Sequence, residues 1–200
     1  MNIALTGGIG SGKSSIATIL ADALQAAVVS ADLICRDLMQ PDGAGWHGIR
    51  LLWGDRFLHP DRTIDRALLG QAVFQDAGMR RQLEAILHPL IRSAIEERVT
   101  AADQAGEDLV IEIPLLFEVG WQEGFDCTVA VYAPEEICLQ RIQARDGVSC
   151  EQAERMLAAQ MTPAKKADMA MHVIDNSGIW AQTVQQVGRL ARSLRKNPRE

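Results

Sequence analysis

The chain of 200 residues lacks a Cys-x-x-Cys pair; its four cysteines, Cys35, Cys127, Cys138 and Cys150, are scattered. That spacing argues against a zinc knuckle or a redox dithiol, and reduced, partly buried thiols are expected. No apolar run approaches the ~20 residues that a membrane-spanning helix needs. Basic residues are not in excess. Lys and Arg number 20 against 26 Asp and Glu, for a formal net charge of -6. No broad basic surface for nucleic acid is expected. Internal repeats and low-complexity segments are also missing. The first residues form an apolar run and a glycine-rich loop, so no signal peptide is read there. With 48% hydrophobic residues the chain can bury a sizeable core. One domain with insertions, in the cytoplasm, is the expectation.

What is present is concentrated at the start. Asn2 to Thr6 is a short apolar run, expected as a buried strand. Gly7, Gly8, Gly10 and Gly12 follow, then Lys13 and Ser14, then apolar residues at helical spacing from Ile16. Gly7-x-x-x-x-Gly12-Lys13-Ser14 between strand and helix is the P-loop pattern. The residue types suit polyphosphate. Glycines turn successive N–H groups inward into an anion nest, and a helix N-terminus adds partial positive charge. The expected ATP-binding residues are Gly8, Gly10, Ser11, Gly12, Lys13, Ser14 and Ser15. Lys13 would reach the outer phosphates, and the Ser14 hydroxyl would be a ligand to Mg²⁺. A turn that merely joined strand to helix would have no need of Lys-Ser in place.

The rest of the chain alternates strands with helices. A first helix is expected over 15–27, with Ile16, Ile19, Leu20, Ala23, Leu24 and Ala27 on one face. A strand over 26–30 ends at Asp32. That residue is either the N-cap of a helix from about Leu33 or a group facing the ligand crevice at the strand ends. A loop over 41–45 precedes helices at 46–53, from Thr63 (inner side Ile64, Ala67, Leu68, Ala72, Val73), at 79–87 and at 89–105, the last two divided at His88-Pro89. This excess of helix reads as an inserted subdomain able to hold a second substrate. His88 is a structural hydrogen-bonding residue or a ligand. Arg66 is a solvated side chain or a reach toward an anionic substrate.

Residues 108–114 form an apolar strand interrupted by Glu112, a carboxylate that needs a cation, either Mg²⁺ near Ser14 or a local Lys or Arg. Leu115, Leu116 and Phe117 beyond it are a core plug or an apolar wall for a ligand. A strand over 127–133 leads into a helix from Pro134 to about Arg145. Arg141 and Arg145, four apart, share one face as solvated residues or as a phosphoryl clamp. Ser149-x-x-Gln152 starts a helix running to about Gln160 by a capping box. Residues 162–166 are polar and basic. A last strand over 172–175 precedes a C-terminal helix whose charged tail, from Arg192, is expected to fray. Together these patterns predict an α/β fold: a mainly parallel sheet with helices on both faces.

Several stretches together are more specific. They are Leu5 to Ser14, Ala31-Asp32, Arg66 with Val73-Phe74, Leu83-Glu84 with His88-Pro89, Ile113 to Glu118, Arg141 to Ser149, Ala159-Gln160, Lys166, and Val173 to Asn176. On these residues the chain resembles the dephospho-coenzyme A kinase family almost end to end. The resemblance implies a P-loop nucleotide-kinase-like fold in three parts: a core of 1–33, 106–136 and 167–200, a helical substrate part of 34–105, and a lid of 137–166. It implies transfer of the ATP γ-phosphoryl group to the ribose 3′-hydroxyl of dephospho-coenzyme A, with Mg²⁺ as cofactor and no nucleic-acid or membrane partner. Asp32 matches the family's proposed general base, and Arg141 and Arg145 its lid arginines. The catalytic candidates are Asp32, Lys13, Arg141 and Arg145; the substrate candidates are Asp32, Arg66, His88, Leu115 and Phe117. One departure is Ala170-Met171-His172 before the last strand, where the family tends to carry Ala-Asp. The alternatives are a nucleoside or nucleoside-monophosphate kinase and, in a different class, a P-loop switch protein.

Overall fold

Five short strands set the architecture of the computed structural model, which describes residues 1–196. They are β1 (Asn2–Thr6), β2 (Ala27–Ser30), β3 (Leu109–Glu112), β4 (Cys127–Tyr132) and β5 (His172–Asp175). They pair in the order β2-β3-β1-β4-β5, every pairing parallel. Parallel strands need crossovers, and helices supply them: α1 (Lys13–Leu24) after β1, α6 (Glu135–Asp146), α7 (Cys150–Ala158) and α8 (Pro163–Met169) between β4 and β5, and α9 (Trp180–Lys196) after β5. Between β2 and β3 lie α2 (Ala31–Leu38), α3 (Ala44–Trp53), α4 (Arg66–Gln75) and α5 (Ala77–Ala105). The chain divides into two compact units, Met1–Ser30 with Ala101 onward, and Ala31–Thr100.

In the first unit Ile3, Leu5, Val129 and Val131 of the sheet pack with Ile16 and Leu20 of α1 and Val187 and Leu190 of α9. Ala4, Ile111 and Ala130, whose alternate positions turn them to the opposite face, are equally buried. Burial on both faces explains the near-continuous apolar runs in these strands. Each large side chain so buried contributes about 1.5–3 kcal/mol. In the second unit Trp46, Ile49, Phe57, Ile64 and Leu69 form the core. Trp46 is buried because its indole N–H finds the Arg62 carbonyl at 2.8 Å.

Several boundaries differ from expectation. Helix α1 stops at Leu24, where Gln25 takes a left-handed φ of 58°, so Ala27 belongs to β2. Helix α2 begins at Ala31, which places Asp32 inside its first turn rather than at the N-cap. Helix α4 begins at Arg66, not Thr63. Asp61 takes the Thr63 N–H and hydroxyl, Ile64 bridges Leu58, and Asp65 caps the helix through the Leu68 N–H. Its inner side is Leu69, Ala72 and Val73; Ala67 and Leu68 are exposed. The two helices expected at His88-Pro89 are one, α5, with Pro89 inside it. Packing outweighs the roughly 3 kcal/mol cost of an interior proline, since Leu87, Ile91 and Ile95 are buried on either side. The capping box forms as read: Ser149 accepts from the Gln152 N–H, and the Gln152 side chain from the Ser149 N–H. Helix α7 ends at Ala158, short of Gln160. Residues 162–166, expected only as polar chain, start α8 with Thr162 as N-cap and Pro163 in the first turn. Helix α9 holds through Lys196 with Leu194 buried, against the frayed tail expected from Arg192; Asn197 to Glu200 lie outside the described residues. No described helix is long and apolar enough to cross a membrane.

All four cysteines carry free thiols, and Cys150 alone among them is exposed. The charge of Glu154 raises its pKa, helped by slight desolvation and by a hydrogen bond to the same carboxylate. Burial pushes the Cys127 thiol up to about 11. Alkylation of the native protein at pH 8 should therefore label Cys150 first, and Glu154→Gln should speed that labelling severalfold by freeing thiolate. Mass-mapped labelling that began at Cys127 would contradict this packing.

Candidate active site

The glycine loop between β1 and α1 has the backbone that its sequence requires. Gly10 and Gly12 sit at φ of 79° and 88°, where side chains are strained. Space forbids side chains too. A Cβ on Gly10 would lie 2.6 Å from the Cys138 carbonyl oxygen, and one on Gly12 would strike the Asn176 amide nitrogen. Gly12 is the residue before α1, so Lys13 and Ser14 occupy the first helical turn.

Both side chains turn to Glu112. Ser14 Oγ donates to Glu112 Oε1 at 2.6 Å, and Lys13 Nζ lies 3.9 Å from the same oxygen. Glu112 is 7% exposed and ends β3, directly beside Leu5 of β1. The interrupting carboxylate of the sequence thus has its cation, Lys13, and shares an oxygen environment with the Ser14 hydroxyl. Hydroxyl and carboxylate oxygens are the hard donors that Mg²⁺ takes, and it commonly fills its remaining positions with water and substrate phosphate. Among the described residues no group of three His, Cys, Asp or Glu could hold a metal alone.

The two arginines expected to act together are placed differently. Arg141 is half-buried and donates to the carbonyls of Gly10 (3.3 Å), Ser11 (3.4 Å) and Asn176 (2.9 Å). It braces the glycine loop. Arg145, one turn on, is exposed and forks onto Asp146 at 2.7 and 2.8 Å. Asn176 completes the brace, donating its side-chain N–H to the Ser11 carbonyl at 2.8 Å and accepting from Thr183 Oγ1 at 3.1 Å.

Gln160, Lys166 and Glu118 carried no assigned role in the sequence. Gln160 Oε1 accepts the Ile9 N–H at 3.0 Å. Lys166 is 1% exposed, donates to the Pro114 carbonyl, and pairs with Glu118 at 2.7 Å. Burial pushes its ammonium below the usual lysine range; Lys13 adds to that, while Glu118 opposes both. Thr162-Pro163 was the local signal for the helix carrying Lys166, but nothing local marks which of Lys165 and Lys166 turns inward. In the loop after β3, Leu116 and Phe117 are buried and Leu115 is half-buried. Met171 is 64% exposed, with its N–H on Thr128 Oγ1 at 3.0 Å.

Asp32, Arg66 and His88 belong to the second unit. Asp32 is exposed in the first turn of α2, a favourable place for a negative charge. Arg66 is exposed at the start of α4 and donates to the Arg36 carbonyl at 3.2 Å. Both act on Cys35, whose thiol is raised by burial first, then by Asp32, with Arg66 lowering it. His88 is half-buried in α5.

The profile of the dephospho-CoA kinase family matches residues 1–182. The chain belongs to the dephospho-CoA kinase family. It is 41% identical to a dephospho-CoA kinase of Geobacter metallireducens over 98% of both chains, and 37% identical to one of Desulfotalea psychrophila over 94% of both. Among solved structures, a dephospho-CoA kinase from Campylobacter jejuni superposes with a TM-score of 0.73 at 29% identity, covering 98% of each chain. A shikimate kinase from Bacteroides thetaiotaomicron shares the α/β fold at a TM-score of 0.56 and 16% identity, again covering 98% of each chain.

The unlike surroundings of the two arginines predict unlike variants. Arg141→Ala removes three hydrogen bonds from a charged donor and should destabilise the protein by about 1–3 kcal/mol, or roughly 2–10 °C in melting temperature. Arg145→Ala should leave the melting temperature unchanged. Thermal unfolding of both checks this, and equal shifts would refute it.

Proposed function

We propose that the protein transfers the γ-phosphoryl group of ATP to the ribose 3′-hydroxyl of dephospho-coenzyme A, giving coenzyme A and ADP in the last step of coenzyme A biosynthesis. The observation that carries this reading is the Lys13–Ser14 pair at the N-terminus of α1, gathered on Glu112 in a chain of this family. Gly8 and the stretch from Gly10 to Ser15 would hold the β- and γ-phosphates, with Lys13 turning from Glu112 toward them. Mg²⁺, when bound through Ser14 with the phosphates, would neutralise phosphate charge. Glu112 would hold the Ser14 hydroxyl in place.

Phosphoryl transfer asks for in-line positioning and charge neutralisation more than for covalent help. Arg141 would keep the loop in shape. Arg145, held only by its neighbour Asp146, would be the lid cation able to move onto the transferring group. The lid of 137–166 would exclude water, whose attack wastes ATP. Asp32 would orient the acceptor hydroxyl and accept its proton. Arg66, His88, Leu115 and Phe117 remain the substrate-side candidates.

ADP formation with dephospho-coenzyme A, adenosine, AMP or no acceptor tests the reading. Turnover specific to dephospho-coenzyme A is expected; turnover with adenosine or AMP but not with it would overturn the proposal. Lys13→Ala should keep the fold and nearly abolish turnover. Asp32→Asn should fold, bind ATP and lose roughly 10²-fold or more in kcat. Full kcat in that variant would remove Asp32 as the base.

A further inference from the structure

Ile9 is the loop residue with a large apolar side chain, between Gly8 and Gly10. Its two halves are tied to the same part of the chain. The side chain packs against the cluster of Ala133, Cys138, Ile142, Ala153 and Leu157. Its N–H is donated to Gln160 Oε1, 151 residues away in sequence. Residues 160–166 continue over the loop: a Cβ on Gly8 would lie 3.7 Å from Pro163 Cγ and 3.9 Å from Gln160 Oε1.

Both ends of this segment are fastened. The Met161 N–H, next to Gln160, is donated to Glu118 Oε1 at 2.9 Å. Glu118 Oε2 accepts from Lys166 Nζ at 3.0 Å, and Lys166 also holds the Pro114 carbonyl. Pro114 lies two residues beyond Glu112, and its carbonyl accepts from Thr6 Oγ1 at 3.2 Å. A lysine buried this fully is costly unless every proton has a partner. Here its partners are the exit of β3 and the anchor of the segment.

We propose that residues 160–166 form a strap that sets the shape of the glycine loop, with Gln160 as the positioning residue at Ile9 and the ion pair of buried Lys166 with Glu118 as its anchor. A glycine loop aligns phosphates only if its backbone shape is held, and Gln160 holds it at Ile9, the loop residue whose side chain is also packed against the lid. The strap thereby couples lid position to phosphate alignment. This rests on the reading of the loop as a phosphate site.

The test compares Gln160→Met, of similar length but without an acceptor, with Gln160→Glu, which keeps one. Amide hydrogen exchange at Ile9 is followed by NMR in the nucleotide-free protein, alongside kcat, KM for ATP, MgATP affinity and melting temperature. Gln160→Met should speed Ile9 exchange by roughly tenfold and lower kcat by about 10- to 100-fold at an unchanged melting temperature. Gln160→Glu should retain Ile9 protection and raise KM for ATP, because its charge repels phosphate. Unchanged Ile9 exchange in the Met variant overturns the strap, as does faster exchange with full kcat. Should the Met variant not fold, loss of Ile9 protection in the Glu variant overturns it and retention supports it. Should the parent protein not phosphorylate dephospho-coenzyme A, the functional reading fails alone; the strap is then decided by MgATP affinity, lowered in the Met variant if it holds and unaltered if it does not.

Discussion

A buried carboxylate at the end of an internal strand of a parallel sheet has to be answered by partners, because leaving it unmet in low dielectric costs several kcal/mol. Glu112 is that carboxylate, and Lys13 and Ser14 answer it. The consequence runs outward. The register that sets Glu112 beside Leu5 fixes where β3 ends relative to β1. The same contact fixes where α1 begins, since its first two residues are the ion-pair partner and the hydroxyl donor. Gly7 to Gly12 must then cross from the end of β1 to the start of α1, which they do with positive φ at Gly10 and Gly12. The loop's shape therefore follows from a buried charge in the sheet as much as from its glycines.

A second buried charge stands close by. Lys166 pairs with Glu118 at 2.7 Å, closer than the 3.9 Å of Lys13 and Glu112, and each lysine ends up near a strand exit. Lys13 also adds to the depression of the Lys166 ammonium, so the two cations sense each other. Two lysines thus stand against two glutamates, with the Arg141 guanidinium beside the glycine loop as a further positive charge. Lys13, held loosely and partly open, can exchange Glu112 for another anion, while Lys166, fully enclosed, keeps its own partners. The division between an exchangeable cation and a fixed one is a matter of enclosure: the Lys13 side chain is 14% exposed and that of Lys166 is 1% exposed.

What was legible in the sequence was local chemistry. The glycine spacing, the five strands and the Ser149–Gln152 capping box depend on residues within a few positions of one another, and each appears within two residues of where it was expected. Glu112 was legible as a question, an apolar strand with one charge, whose answer lay about 98 residues away. The failures are tertiary. Proline at 89 reads as a helix boundary, but buried Leu87, Ile91 and Ile95 carry α5 through it. Thr63 and Ile64 look helical by spacing, but Asp61 and Leu58 capture them first. Lys166 looks solvated beside Lys165, and only Glu118 and Pro114, far away in sequence, make it internal.

The two arginines show why periodicity places a face but not a depth. Arg141 and Arg145 lie one turn apart, and both follow from the same helical spacing. Burial along α6 is uneven: Cys138 and Ile142 are enclosed, while residues 144 to 147 at its end are exposed. Arg141 sits at the level of the enclosed pair and finds three carbonyls there. Arg145 sits a turn beyond and finds only Asp146, beside the left-handed Gly147 that ends the helix. A guanidinium committed to three carbonyls is part of the scaffold, because moving it would strand the carbonyls it serves. A guanidinium committed to an exposed neighbour has a partner it can trade in water at little cost, since exposed ion pairs contribute at most about 1 kcal/mol. Of the two, Arg145 is therefore the one whose partner can change, and Arg141 the one on which the shape of the glycine loop depends.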